Sequence, residues 1–214
     1  MKTIFGTTNK RKIEDLLNII TNNNLDIEVL TLEDINWDEG EIEENGKSLE
    51  ENSLIKAEAI YNFCLNHNLS YPIITDDSGL FVESLNGEPG IYTARYADEE
   101  RKKDPNAPKH ECVNKLLRNL KGNSNREAEY RCVVTLMYPN HEYIQQTAIT
   151  KGTIAEEIVE PIKKPYFYPV FKLENSSKTF NHLSSEELKN TYRYVALDKI
   201  VKLLIKKDKT LVKK

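Results

Sequence analysis

Cysteine is scarce: Cys64, Cys112 and Cys132 are three in 214 residues, odd in number and widely spaced. That excludes a disulfide framework and leaves reduced, buried thiols as the expectation. The four histidines, His67, His110, His141 and His182, share no zinc-ligand spacing with them. No stretch approaches the roughly 20 apolar residues of a membrane span and no cleavable leader is read at the start, so no membrane is expected and the cytoplasm is the default compartment. Positive charge is not in excess either. Thirty Lys and Arg stand against 34 Asp and Glu, for a net charge of −4 and a pI near 5.7, which argues against a general nucleic-acid binder. The lysines from Lys199 to Lys214 read as a helix end with a frayed terminus. Glycine-rich Walker spacing is missing, so the chain is not a P-loop protein. Internal repeats and low-complexity segments are absent as well.

What is present is enough chain for a large core, read as one domain over residues 1–214. Met1 to Gly6 reads as a buried strand. A helix follows with Ile13, Leu16, Leu17 and Ile20 on its apolar face. A short strand at Ile27 to Leu32, a long helix with Leu54, Ala57, Tyr61, Cys64 and Leu65, and a strand at Tyr71 to Thr75 continue a βαβα alternation. Ala107 to Leu120 predicts another helix. Beyond Ala128 the pattern turns to β segments at Glu129 to Met137, Tyr143 to Gly152, Thr153 to Val159 and Phe167 to Leu173. A last helix carries Leu197, Val201 and Leu204. The fold class that follows is α/β: a central mixed, twisted sheet flanked by helices, in two lobes with the active site in the cleft between them. The charged segment Glu99 to Lys109 is the best candidate for a mobile cover.

Three segments carry chemistry. Asp76-Asp77-Ser78-Gly79 arrives after an apolar run, where a strand would end and Gly79 would permit a turn that brings two adjacent carboxylates together. Such a pair suits a hard divalent cation such as magnesium, which takes oxygen ligands at about 2.0–2.1 Å and keeps waters, one of which a neighbouring carboxylate can deprotonate. Near the start, Thr7, Asn9 and Lys12 lie between a strand and a helix N-terminus. Amide groups, the helix dipole and these side chains there suit an anion. The acidic segment Asp38 to Lys47 reads as an exposed loop leading into the capping box Ser48 to Glu51, after which Asn52 and Lys56 share a helix face.

The order Thr7-Thr8-Asn9-x-x-Lys12, Glu44-Asn45-Gly46-x-Ser48-x-x-Glu51-Asn52-x-x-x-Lys56-Ala57, Thr75-Asp76-Asp77-Ser78-Gly79-Leu80 and Gly87-Glu88-Pro89-Gly90-Ile91-Tyr92-Thr93-Ala94-Arg95-Tyr96 resembles one family. It is the inosine triphosphate pyrophosphatases, also called deaminated-purine nucleoside triphosphate pyrophosphatases. The resemblance implies a nucleoside triphosphate substrate, such as ITP, dITP or XTP, cleaved to the monophosphate and pyrophosphate by water attack on the α-phosphorus with Mg2+. By the same resemblance Thr7, Asn9 and Lys12 hold the triphosphate with Ser78 nearby, and Lys56 contacts it from the second helix. Glu44 with Asp76 or Asp77 positions the metal, Asp77 is the general base, and the enzyme is a homodimer.

The second half departs from that pattern. In place of the family's Gly-Phe-Gly-Tyr-Asp-Pro type segment stands Lys164-Pro165-Tyr166-Phe167-Tyr168-Pro169, and in place of Ser-His-Arg-Gly stands Thr191-Tyr192-Arg193-Tyr194. Tyr168 and Tyr192 therefore replace an aspartate and a histidine of the base-recognition elements, while Arg193 is kept. An altered base preference is the expectation, since an unmatched buried hydrogen-bonding group costs roughly 1–3 kcal/mol. Two other readings compete: a catalytically silent nucleotide-binding protein that kept the fold, and a phosphatase with an aspartyl nucleophile releasing orthophosphate. Intact Lys12, Glu44, Lys56, Asp76 and Asp77 speak against the first, and the absence of Asp-x-Asp spacing against the second.

Overall fold

The computed structural model describes residues 1–103, 110–162 and 167–211. β1 (Lys2–Phe5) is buried continuously from Thr3 onward, as expected of a strand covered on both faces. It pairs in parallel with β2 (Glu28–Leu30) on one side and with β3 (Ile73–Val82) on the other, Thr3 opposite Val29 and Ile4 opposite Ile73. The crossover from β1 to β2 is α1 (Lys10–Asn22), which buries Leu16, Ile19 and Ile20. Leu17, expected on the same face, is instead exposed. A helical step of about 100° carries it off the stripe that the i, i+3, i+4 positions define.

α2 (Leu49–Asn66) connects β2 to β3 and is capped by Ser48, whose side chain accepts from the Glu51 amide. The expected capping box is half formed: the Glu51 carboxylate accepts from Lys47 N–H at 2.7 Å instead of from Ser48. Ala57, Ile60, Phe63 and Cys64 pack with Ile4, Ile73 and Met137 into one core cluster. Leu65, counted on the apolar stripe, is exposed. The N-terminal half of the same buried face is polar, because the helix also buries Asn52, Ser53 and Lys56. Ser53 shares a 2.7 Å hydrogen bond with Thr135, and Thr75 Oγ1 donates to the Ser53 carbonyl at 2.7 Å. These bonds satisfy polar groups that would otherwise be costly to bury, and they fix the register of α2 over β3.

Two compact units divide the chain: Met1–Asp77, Cys132–Ala148 and Tyr192–Lys214 form the first, Ser78–Arg131 and Ile149–Thr191 the second. β3, β5 (Glu127–Met137) and β6 (Tyr143–Ile154) contribute residues to both. In the first unit the strand order is β2-β1-β3-β5-β6. In the second, β4 (Pro89–Gly90) lies antiparallel on the end of β3, and β7 (Phe171–Leu173) lies antiparallel on the end of β6. The sheet is thus mixed, as the sequence predicts. α3 (Asp98–Lys103), α4 (Glu111–Asn119) and α5 (Ser185–Leu188) belong to the second unit. α6 (Tyr192–Leu211) returns to the first, burying Leu197, Val201 and Leu204 as expected and packing on α1.

Several expectations need correction. β3 does not end at Thr75 but runs through Asp76, Asp77, Ser78 and Gly79 to Val82. The strand expected over Thr153 to Val159 stops at Ile154, where the Arg126 guanidinium takes the carbonyls of Ile154 and Ala155, each at 2.7 Å. Phe167 to Val170 forms a turn before β7, closed by Val170 and Phe171 amides on the Phe167 carbonyl at 3.0 Å. The start of the segment read as a mobile loop is helix α3; residues 104–109, which include the predicted beginning of the next helix, lie outside the described residues, as do Lys164 and Tyr166.

Gly79 serves close approach and not a turn. A Cβ there would stand 2.3 Å from the Gly90 carbonyl oxygen and 3.0 Å from its carbon, both backbone atoms of the paired β4. Gly79→Ala should therefore cost about 1–3 kcal/mol by overpacking, read as a lower midpoint in urea unfolding with an unchanged m-value.

Candidate active site

The N-terminus of α1 is built by the residues its sequence predicts. Asn9 caps the helix by accepting from the Arg11 amide at 3.1 Å, and its own amide donates to Thr7 Oγ1 at 3.2 Å. No acidic residue occupies the first turn; Lys10, Arg11 and Lys12 stand there against the helix dipole. Lys12 has a local partner: its ammonium reaches Asp76 Oδ2 at 3.0 Å.

Continuation of β3 through position 76 and 77 sends the two carboxylates to opposite sides of the strand. Asp76 is fully buried. Its Oδ2 meets Lys12 at 3.0 Å, Arg193 Nε at 3.8 Å and the Cys132 thiol at 3.8 Å, while Oδ1 has no hydrogen-bond partner. Burial pushes this carboxyl up, but the charges of Lys12, Arg193 and Lys56 outweigh it and hold it below the ordinary carboxylate value. Arg193 also faces Asp15 on α1, Nη1 to Oδ2 at 3.6 Å. Asp15 is raised chiefly by burial, against Arg193 and Arg11.

Asp77 lies among different partners. Asn52 Nδ2 donates to its Oδ2 at 3.1 Å, and Lys56 Nζ stands 4.0 Å from its Oδ1. The same ammonium pairs with Glu44 at 3.0 Å. Burial raises the Asp77 carboxyl above its ordinary value and Glu44 adds to this, against the opposing charge of Lys56. Adjacent residues of one strand thus hold carboxylates pushed in opposite directions, the arrangement by which environment divides acid–base roles.

Thr7, Asn9, Lys12, Glu44, Lys56, Asp76, Asp77, Tyr192 and Arg193 all belong to the first unit, and Ser78 is the next residue along β3. Tyr192 is buried at the start of α6, its ring 5.4 Å from the Arg193 guanidinium carbon. Tyr168 is placed in the second unit, buried edge-on to Tyr130 and Phe180 at centroid distances of 5.6 and 5.3 Å. Phe167 and Phe171 are buried in the core of the chain itself, and all three cysteines are buried free thiols. Sequence reasoning missed Asp15 and Cys132 around Asp76. Asp15 stood one turn beyond Lys12 on α1, a usable signal; Cys132 had none.

Among the described residues no three His, Cys, Asp or Glu side chains close into a metal cage. Magnesium that keeps waters and phosphate oxygens needs only one or two carboxylates. The donor set fits that ion in chemistry: Glu44, Asp76 and Asp77 offer hard oxygens, and buried Asp76 Oδ1 lacks a donor.

The linkage around Asp76 is testable. Its folded value lies below the unfolded one, about 3.9, so its contribution to stability is present above that pH and is lost as pH falls through the folded value. Asp76→Asn should melt below the wild type at pH 7, and the gap should narrow as melting is repeated at pH values below the unfolded one.

Residues 3–203 match the Ham1 family profile. The chain is 38% identical over 206 residues to a dITP/XTP pyrophosphatase of Flavobacterium johnsoniae, covering 95% of this chain and 98% of that protein. It is 33% identical over 209 residues to a dITP/XTP pyrophosphatase of Bacillus subtilis, covering 95% and 96%. The solved structure of the Staphylococcus aureus Ham1 protein superposes with a TM-score of 0.77 at 29% identity, over 97% of this chain and 100% of that one.

Proposed function

This chain belongs to the Ham1 family, and from that premise we propose that it hydrolyses deaminated-purine nucleoside triphosphates, among them dITP, ITP and XTP, to the monophosphate and pyrophosphate. The observation that carries the reading is the pair of lysines, Lys12 and Lys56, set against separate carboxylates at consecutive positions of β3. A triphosphate entering such a site finds cations already placed for its oxygens, while the carboxylate beside Lys56 is poised to take a proton.

In this reading Thr7, Asn9 and Lys12 bind and orient the phosphates, with Ser78 beside them, and Lys56 stabilises charge on the leaving pyrophosphate. Asp77, raised by burial, accepts the proton of the attacking water, which general-base catalysis rewards when the base titrates closer to neutrality. Glu44 and Asp76 or Asp77 would hold Mg2+, which when bound supplies charge neutralisation of the phosphates and acidifies coordinated water. The family pattern assigns Tyr168, Tyr192 and Arg193 to the base, and in this reading Arg193 would do so while its guanidinium stays paired with Asp15 and Asp76. The reading extends to a homodimer, carried over from the family, and to the cytoplasm, in keeping with three free thiols.

The deciding assay is a panel of ribo- and deoxynucleoside triphosphates with orthophosphate and pyrophosphate measured separately. Stoichiometric pyrophosphate and monophosphate are expected, abolished by a chelator and restored by magnesium. Orthophosphate would indicate the aspartyl phosphatase, and no turnover with retained binding the silent protein. With tyrosines at 168 and 192, selectivity for inosine and xanthosine triphosphates over adenosine and guanosine triphosphates should be weaker than in the relatives or turned to another base. A strong inosine preference would place recognition on other groups.

A further inference from the structure

Asn52 is almost completely buried at 1% exposure, one turn before Lys56 on α2, and its amide is used at both ends. Its Oδ1 accepts from the Gly46 N–H at 2.8 Å, and its Nδ2 donates to Asp77 Oδ2 at 3.1 Å. The first bond dictates the orientation of the second, because a backbone N–H can be met only by the amide oxygen, which leaves nitrogen facing the carboxylate. Approach at Gly46 is so close that a Cβ there would lie 2.6 Å from Asn52 Oδ1 and 2.7 Å from Glu51 Cβ. With the neighbouring Lys47 amide bonded to Glu51, the end of the acidic loop is tied to the first turn of α2. Glu44 sits two residues before this tie and pairs with Lys56.

We infer that Asn52 is a positioning residue for the hydrolysis: its single amide directs the Asp77 carboxylate and pins the Glu44 loop, so that both acids keep a fixed relation to Lys56. This rests on the pyrophosphatase reading with Asp77 as the base. A proton acceptor rotated away from its water loses rate while the phosphates, held by other residues, bind as before. An asparagine serving only as a loop staple would act through the Gly46 contact alone, so turnover would survive wherever the Oδ1 acceptor is kept.

Two substitutions separate these roles. Asn52→Asp preserves shape and the acceptor for Gly46 but removes the donor to Asp77, whereas Asn52→Ala removes both. The measurements are kcat and KM for the best triphosphate at saturating magnesium, melting temperature, and hydrogen exchange at the Gly46 amide. Both variants should lose kcat by about 10–100-fold, the range for groups that orient a reacting ligand, with KM within about threefold of wild type. Gly46 protection should survive in Asn52→Asp and vanish in Asn52→Ala. A loss only in Asn52→Ala makes the residue a staple; a loss only in Asn52→Asp assigns it to the added charge. Either overturns the inference, as does unchanged kcat per folded molecule with a lowered melting temperature. If Asn52→Ala does not fold, Asn52→Ser takes its place as the uncharged variant lacking both bonds, unchanged kcat in it overturning the role. A wild-type protein that releases no pyrophosphate sinks the functional reading and this inference with it, while Gly46 exchange still reports the tie.

Discussion

Asp77→Asn should lower kcat by about 10²–10⁴-fold, the contribution of a positioned general base, while triphosphate still binds. The amide keeps the shape of the carboxylate but cannot accept the water's proton. Its second consequence concerns stability. Burial and Glu44 raise the Asp77 carboxyl in the folded protein above the unfolded value of about 3.9. A raised acid makes the folded state bind more protons between the two values, so stability falls as pH rises through that window and the cost persists at neutrality. Removing the charge removes the cost. The variant should therefore melt at or above the wild-type temperature at pH 7, and the difference should fade below the unfolded value. Loss of activity with unchanged or greater stability is the signature of a catalytic group held in an unfavourable setting. Retention of more than about a tenth of wild-type kcat would move the base elsewhere, with Asp76 and Glu44 the remaining carboxylates.

Much of this was readable from the chain because the signals were local. The β1–α1 junction follows from an apolar run, a cap at Asn9 and a periodic helix; the second helix follows from Ser48 and its stripe. What sequence could not distinguish was the use of a glycine. Gly79 after two aspartates reads as a turn, and only the partner backbone at Gly90 reveals a site of close approach. That choice reverses the geometry of the carboxylates: a turn would converge Asp76 and Asp77, whereas the strand gives each its own lysine. Arg193 is a second case. Its sequence neighbours suggest base recognition, yet α6 packs on α1 and brings its guanidinium to Asp15 and Asp76, a relation between residues far apart in the chain. Leu17 and Leu65 show the opposite error, apolar residues counted inward that one helical step past a buried neighbour leaves in solvent.

Lys12→Met and Lys56→Met should both reduce kcat by about 10²–10³, or roughly 2.7–4 kcal/mol, as when one preorganised electrostatic donor is removed, but they should differ in stability. Lys12 faces Asp76, whose side chain is 0% exposed, at 3.0 Å. With the lysine gone, the carboxylate keeps Arg193 Nε at 3.8 Å as its nearest cation, and a buried pair broken from one side typically costs about 3–5 kcal/mol. Lys56 faces Asp77 and Glu44, with side chains 14% and 31% exposed, where water can replace part of the lost charge and the penalty shrinks. Lys12→Met should accordingly melt well below Lys56→Met. Pairing it with Asp76→Asn should recover stability, because the orphaned charge disappears, without recovering turnover, because the phosphate contact stays lost. Equal melting temperatures for the two single variants would show that Arg193 alone balances Asp76. Recovery of activity in the double variant would remove Lys12 from the phosphate site and leave it a purely structural counter-ion.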